Sequence, residues 1–116
     1  MIGGVGVDVA EISRLQRALE RTPSLAERLF AKSERGRPIR SLTGYFAAKE
    51  ALAKSLGAPP GMLWTDAVIT RDDYGRPGIV VTGSVAAVAA SLGVRRFHVS
   101  ISHDGGLCVA MVVAER

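Results

Sequence analysis

One cysteine, two histidines and few aromatic side chains leave this sequence short of the residues that most often carry chemistry. The single cysteine, Cys108, excludes an internal disulfide. Its place in the apolar run LCVAMVVA points to a buried, inert thiol rather than a nucleophile. Two histidines and one cysteine do not supply zinc-site spacing. One tryptophan, two tyrosines and three phenylalanines leave the core to valine, leucine, isoleucine and alanine. No apolar run reaches the length of a bilayer span, and no basic segment followed by a long apolar one opens the chain, so a cytoplasmic protein without membrane contact is expected. GxGxxG is absent, and GGVGVD lacks the Lys-Ser/Thr of a phosphate loop. No hydrolase triad assembles convincingly.

What is present fits one domain, residues 1–116, of ordinary globular composition with 47% hydrophobic and 22% charged residues. Lys and Arg exceed Asp and Glu by 15 to 11, which suggests an anionic partner: nucleic acid, a phosphorylated small molecule or an acidic protein. A domain this small also gains from burying further surface between subunits.

Along the chain, IGGVGVDV (2–9) alternates valines with Gly4, Gly6 and Asp8 and reads as a strand. Residues 11–21 read as a helix. Its Ile12, Leu15, Leu19 stripe and its Arg14, Arg17, Arg21 stripe lie roughly 160° apart at about 100° per residue. Pro23 can open a second helix through LAERLFAKSE, and 35–41 read as a loop. The longest helix is expected over 43–56, ending at Gly57. A strand over 63–70, the turn RDDYGRPG and a return strand over 79–82 follow. A helix opens at Gly83-Ser84, with Ser84 as its candidate cap. Strands over 96–102 and 107–114 flank a hairpin turn at His103-Asp104-Gly105-Gly106. Helices and antiparallel hairpins without a βαβ rhythm define the class as α+β: an antiparallel sheet packed against a long helix.

Three places could carry chemistry. Asp8 sits on a glycine-flanked strand that suits close approach by a ligand or another backbone, although it could simply cap the next helix. Glu50 and Lys54 share a helix face with Ala47 and Ala51. The plain reading is a solvated i,i+4 pair, worth about 0.3–0.5 kcal/mol. The alternative is a carboxylate for a metal and a lysine for a phosphate, in a shallow setting that leaves room for a ligand. His103, with Ser100 and Ser102 on its strand and Gly105-Gly106 after it, is either a turn histidine or a phosphate-binding or acid–base group. Tyr74-Gly75-Arg76-Pro77 is either a solvent-facing turn or an arginine presented to a nucleotide.

Taken in order, GVGVDVAEISR, FAAKEALAKSLG, W-x-D followed by DYGRP, and HVSISHD resemble the pattern of holo-acyl-carrier-protein synthases, the small phosphopantetheinyl transferases. The resemblance covers nearly the whole chain. It implies transfer of 4′-phosphopantetheine from coenzyme A to a serine of apo acyl carrier protein, with Mg²⁺ as cofactor and a homotrimer with sites between subunits. It assigns Asp8 and Glu50 to the metal and adds Lys54 beside the reacting phosphates as the third catalytic residue. Coenzyme contacts are implied at Lys49, Lys54, Gly57, Gly75, Arg76, Pro77, Ser102 and His103. The Arg14, Arg17, Arg21 stripe becomes a docking face for an acidic carrier protein. Two features depart from the family's habit. Tyr45 stands where an arginine is common, leaving Arg37 or Arg40 to compensate, and the link over 31–44 is short. The competing class is a small basic nucleic-acid-binding domain without catalysis, which accounts for the charge but not for Asp8 and Glu50 in small-residue settings.

Overall fold

The computed structural model describes all 116 residues. Its element order is β1 (Ile2–Glu11), α1 (Ile12–Arg21), α2 (Leu25–Leu29), α3 (Ile39–Ser55), β2 (Ala67–Arg71), β3 (Pro77–Val81), α4 (Gly83–Ser91), β4 (Arg96–Asp104) and β5 (Leu107–Glu115). β1, β5 and β4 form an antiparallel three-stranded sheet in that order, while β2 and β3 pair as a separate hairpin.

α3 is the central element, and its alanines explain how it sits. Ala47, Ala48 and Ala51 are fully buried, facing Ala110, Val112 and Ala114 of β5 in one core. Small residues on both sides let the helix lie close to the sheet. β1 takes this furthest. A Cβ at Gly4 would fall inside the Ser55 carbonyl, and one at Gly6 inside the Ala51 carbonyl. The alanines therefore serve helix–sheet contact, and the expectation that Ala47 and Ala51 leave space for a ligand is corrected.

The other face of the sheet has no cover. Val5, Val7 and Val9 of β1 stand beside Val113, Met111 and Val109 of β5, directly paired. Val5, Val7, Val9, Leu107, Val109 and Met111 are all exposed on it.

Several boundaries differ from the sequence reading. α2 stops at Leu29 rather than running to residue 34, because Phe30 turns to extended backbone and becomes buried. α3 begins at Ile39, directly after Pro38, so the expected loop loses its last residues to the helix. The strand expected over 63–70 starts only at Ala67. Trp64–Asp66 instead form a single 3-10 turn. Asp66, not Ser84, caps α4: its carboxylate accepts from the Ser84 backbone N–H at 2.8 Å and the Ser84 hydroxyl at 2.7 Å. His103 and Asp104 belong to β4, paired with Cys108 and Leu107, and only Gly105-Gly106 turn, both at positive φ. Cys108 is fully buried, with its thiol pushed up by burial, as expected of an inert group.

Candidate functional site

β1 and the C-terminal half of α3 bring Asp8, Glu50 and Lys54 together. Lys54 reaches across to β1, donating to Asp8 Oδ1 at 3.0 Å and to the Val7 carbonyl at 3.1 Å. The i,i+4 ion pair between Glu50 and Lys54 does not form; Asp8 has taken the lysine. Glu50 is left as a half-buried carboxylate held above its usual range. Burial is the main cause and the Asp8 charge the second, with Lys54 opposing them. Two acidic groups thus crowd one place with a single lysine between them.

An ammonium has three protons. Lys54 uses two on Asp8 and Val7, which leaves one for a ligand oxygen. Lys49 differs. It is buried, and its ammonium donates to the Leu29 carbonyl at 2.7 Å, to Glu34 Oε1 at 2.7 Å and to the Trp64 carbonyl at 3.1 Å. All three protons are committed, so Lys49 has none for a coenzyme phosphate, and the expectation that it binds one is corrected. Burial pulls its pKa down, and the Glu34 hydrogen bond and charge pull it back.

A groove of about 500 Å³ opens beside the carboxylates. Asp8 and Glu50 line it together with Arg14, Arg28, Phe46 and Trp64. Phe46 and Trp64 pack with ring centroids 5.6 Å apart. A narrower recess of about 220 Å³ shares Glu50 and Trp64 and runs under the Pro59–Leu63 loop. Gly57, expected at the coenzyme, is the exposed positive-φ residue that ends α3. Arg14, Arg17 and Arg21 are exposed on α1, opposite buried Leu15, and none forms an ion pair. Arg28 joins Arg14 at the groove. Sequence reading missed it because it lies on the short α2, outside the α1 stripe.

A second polar cluster lies at the other end of α3. His103 packs against Gly44, where an added Cβ would come 3.0 Å from its Nε2. That nitrogen is buried and has no hydrogen-bond partner. Burial, then the Arg40 charge, depress the His103 pKa, with Arg71 adding to them and a hydrogen bond to the Arg40 backbone opposing, so the ring is neutral near pH 7. The Arg37 and Arg71 guanidiniums lie 5.8 and 5.7 Å from the Tyr45 ring centroid. Ser102 is exposed on the uncovered face of the sheet. The Gly75-Arg76-Pro77 segment sits in an exposed turn held by Asp72, whose carboxylate accepts from the Tyr74 and Arg76 backbone N–H groups. Gly44 precedes Glu50 by about 9 Å of helix rise. Within one chain, then, neither His103 nor Ser102 nor residues 75–77 line the groove or the recess beside Asp8 and Glu50.

The donor set near Asp8 suits a hard cation. It holds two carboxylates, and no group of three His, Cys, Asp or Glu side chains could hold a metal alone. Mg²⁺ needs only one or two protein carboxylates when substrate phosphates and water complete its shell. Burial first and the Asp8 charge second raise Glu50, and a cation between the carboxylates would offset both.

Comparison with known proteins defines the class: residues 4–112 match the model of the 4′-phosphopantetheinyl transferase superfamily, and the chain belongs to that family. Within it, the chain is similar to the holo-[acyl-carrier-protein] synthase of Streptomyces griseus, at 58% identity over 99% of each chain. Its fold matches the crystal structure of the Neisseria meningitidis holo-[acyl-carrier-protein] synthase with a TM-score of 0.90, 28% identity and full coverage of both chains. The Helicobacter pylori synthase in complex with coenzyme A matches with a TM-score of 0.85 and 27% identity, over 96% of this chain and 99% of that one. No helix is long and apolar enough to cross a membrane.

Proposed function

We propose that this protein is a holo-acyl-carrier-protein synthase. It moves 4′-phosphopantetheine from coenzyme A to a serine hydroxyl of apo acyl carrier protein. The serine oxygen gives up its proton to solvent and bonds to the β-phosphorus, the bridging P–O bond of the diphosphate breaks with its electron pair going to the departing oxygen, and adenosine 3′,5′-bisphosphate leaves. The observation that carries this reading is the crowding of Asp8 and Glu50 at the end of a groove, beside a lysine with one proton to spare.

Asp8 and Glu50 would hold Mg²⁺, which when bound offsets negative charge on the phosphoryl oxygens. Lys54, fixed by Asp8 and Val7, offers its remaining N–H to a phosphate oxygen and stabilises charge as it develops. Phe46 and Trp64 give the groove an apolar wall for the pantetheine arm. Arg14 and Arg28 at the groove, continued by Arg17 and Arg21, form the basic surface to which an acidic carrier docks.

The working form in this reading is a cytoplasmic homotrimer. Its support is the uncovered valine-rich sheet face, since a contiguous apolar patch of this kind marks an interaction site. A neighbouring subunit would then bring a His103, Ser102 and 75–77 turn to the nucleotide end of the coenzyme. The reading places the enzyme in fatty-acid or polyketide synthesis, where carrier proteins need the prosthetic arm.

A small nucleic-acid-binding domain fits less well. Phe30 and Tyr45 are buried, Tyr74 is the lone fully exposed ring, and the groove's Phe46 and Trp64 stand beside Asp8 and Glu50, whose charges would repel a nucleic-acid backbone. The test is to mix the protein with coenzyme A, Mg²⁺ and apo acyl carrier protein and weigh the carrier by mass spectrometry. A gain of one phosphopantetheine supports the proposal. No gain, where a known synthase modifies the same carrier, discards it.

A further inference from the structure

The buried pair of Glu34 and Lys49 takes no part in the chemistry above, yet it ties together most of the site's walls. Both side chains are only 1% exposed, at 2.7 Å separation. Lys49 holds the last carbonyl of α2, at Leu29, and the carbonyl of Trp64. Glu34 Oε1 accepts from Lys49 and from the Ala31 N–H at 2.8 Å, while Oε2 accepts from the Ile69 N–H of β2 at 2.8 Å. Two side chains thus join α2, the turn after it, α3, the Trp64 turn and β2. Leu29 and Trp64 line the same groove as Asp8 and Glu50.

A buried ion pair is poor evidence for stability, because apolar residues of similar volume often serve as well. What the pair adds is a set of directed bonds, three from one ammonium to fixed acceptors. Lys49 and Glu50 are neighbours on α3, set about 100° apart around its axis. Pinning Lys49 to two carbonyls and a carboxylate adds, on the side away from the alanine–sheet contacts, a second restraint on the rotation of α3 at that turn. That rotation sets where the Glu50 carboxylate stands relative to Asp8 on β1. We infer that the Glu34–Lys49 pair is the positioning element of the site. It orients Glu50 toward Asp8 and couples that carboxylate to the groove wall at Leu29 and Trp64. A misplacement of about 1 Å at a reacting centre costs on the order of a hundredfold in rate, so such an element would matter.

The inference rests on the proposed transferase reading, and its test separates the two. Wild-type protein is first assayed for transfer; failure there sinks the activity, not the positioning. Lys49→Met keeps the unbranched apolar stem and removes all three bonds. Mn²⁺ is then titrated by electron paramagnetic resonance in the presence of coenzyme A and without carrier, on protein shown to be folded by circular dichroism. The expected result is Mn²⁺ binding weakened about tenfold and kcat lowered ten- to a hundredfold, with the lost rate partly recovered at high Mn²⁺ and the carrier KM unchanged. Wild-type Mn²⁺ affinity and kcat per folded molecule, with only a lower Tm, would overturn the inference. Should Lys49→Met not fold, wild-type hydrogen exchange decides. Coenzyme A with Mn²⁺ should slow exchange at the Ala31 and Ile69 amides, which donate to Glu34 and line neither the groove nor the recess. Unchanged exchange there overturns it equally.

Discussion

Lys54 Nζ lies 3.0 Å from Asp8 Oδ1, across forty-six positions of sequence, and not against Glu50 one helical turn away. This choice of partner organises the site. It ties α3 to β1 and leaves Glu50 carrying the repulsion of Asp8 with only part of the lysine's compensation. Lys54→Met should therefore cost twice, through the lost charge and through the freed Asp8. We expect kcat to fall on the order of a hundred- to a thousandfold, the loss typical of removing a donor that stabilises transition-state charge. Steady-state assay of carrier modification checks this, and a fall of less than tenfold contradicts it.

The raised Glu50 pKa makes a prediction about stability. In the unfolded chain Glu50 ionises near its usual 4.5; in the folded protein it resists doing so. The native state binds the proton more tightly, so metal-free stability declines as pH rises from about 4.5 through the raised value, then levels. Glu50→Gln removes that decline. In EDTA, the Tm of the variant minus that of the wild type should grow more positive from about pH 4 to pH 7. With Mg²⁺ and coenzyme A present the order should reverse, since only the wild type gains from the ion. A flat difference in EDTA would refute the raised Glu50 pKa, to which burial contributes most and the Asp8 charge second.

Gly6 lies where β1 meets α3 most closely. Gly6→Ala places a methyl group on the Ala51 carbonyl, and backbone on both sides prevents an easy shift. The expected loss is about 3 kcal/mol or more, at the upper end for overpacking. Urea unfolding measures it. A loss below about 1 kcal/mol would mean that the helix and strand are less tightly joined than the structure has them.

Val7 and Met111 pair across β1 and β5 with half their surfaces exposed. Val7→Lys adds a charge to the middle of the proposed subunit interface. Sedimentation should show a trimer for the wild type and a monomer for the variant, with transfer activity lost alongside. A wild-type monomer, or an active monomeric variant, would remove the neighbouring subunit from the account.

Arg14→Glu tests docking. The KM for carrier should rise about tenfold with kcat little changed, and the gap from wild type should narrow as salt screens the encounter. An unchanged KM would leave the basic stripe a solvated surface.

The sequence made the α+β class, the long helix and the closing hairpin readable, because period-two valines and a glycine pair are local signals. It was less informative wherever burial overrode local preference. Phe30 leaves its helix to become buried, and Asp66 caps α4 from a segment whose alternation suggested a strand. The convergence of Asp8 and Glu50 came from resemblance, since nothing local ties β1 to α3. The coenzyme contact at Lys49 likewise came from resemblance, and nothing local to α3 reveals that Glu34, fifteen positions earlier, shares its burial and takes its ammonium. The alanines of α3 were read as room for a ligand because close approach to a sheet cannot be seen from one helix alone.

The most direct test is a crystal of the protein grown with coenzyme A and Mn²⁺, with anomalous scattering recorded at the manganese edge. The account predicts one strong peak ligated by a carboxylate oxygen of Asp8, one of Glu50 and a diphosphate oxygen of the coenzyme. A coenzyme bound elsewhere, or an ion that contacts neither Asp8 nor Glu50, would contradict it.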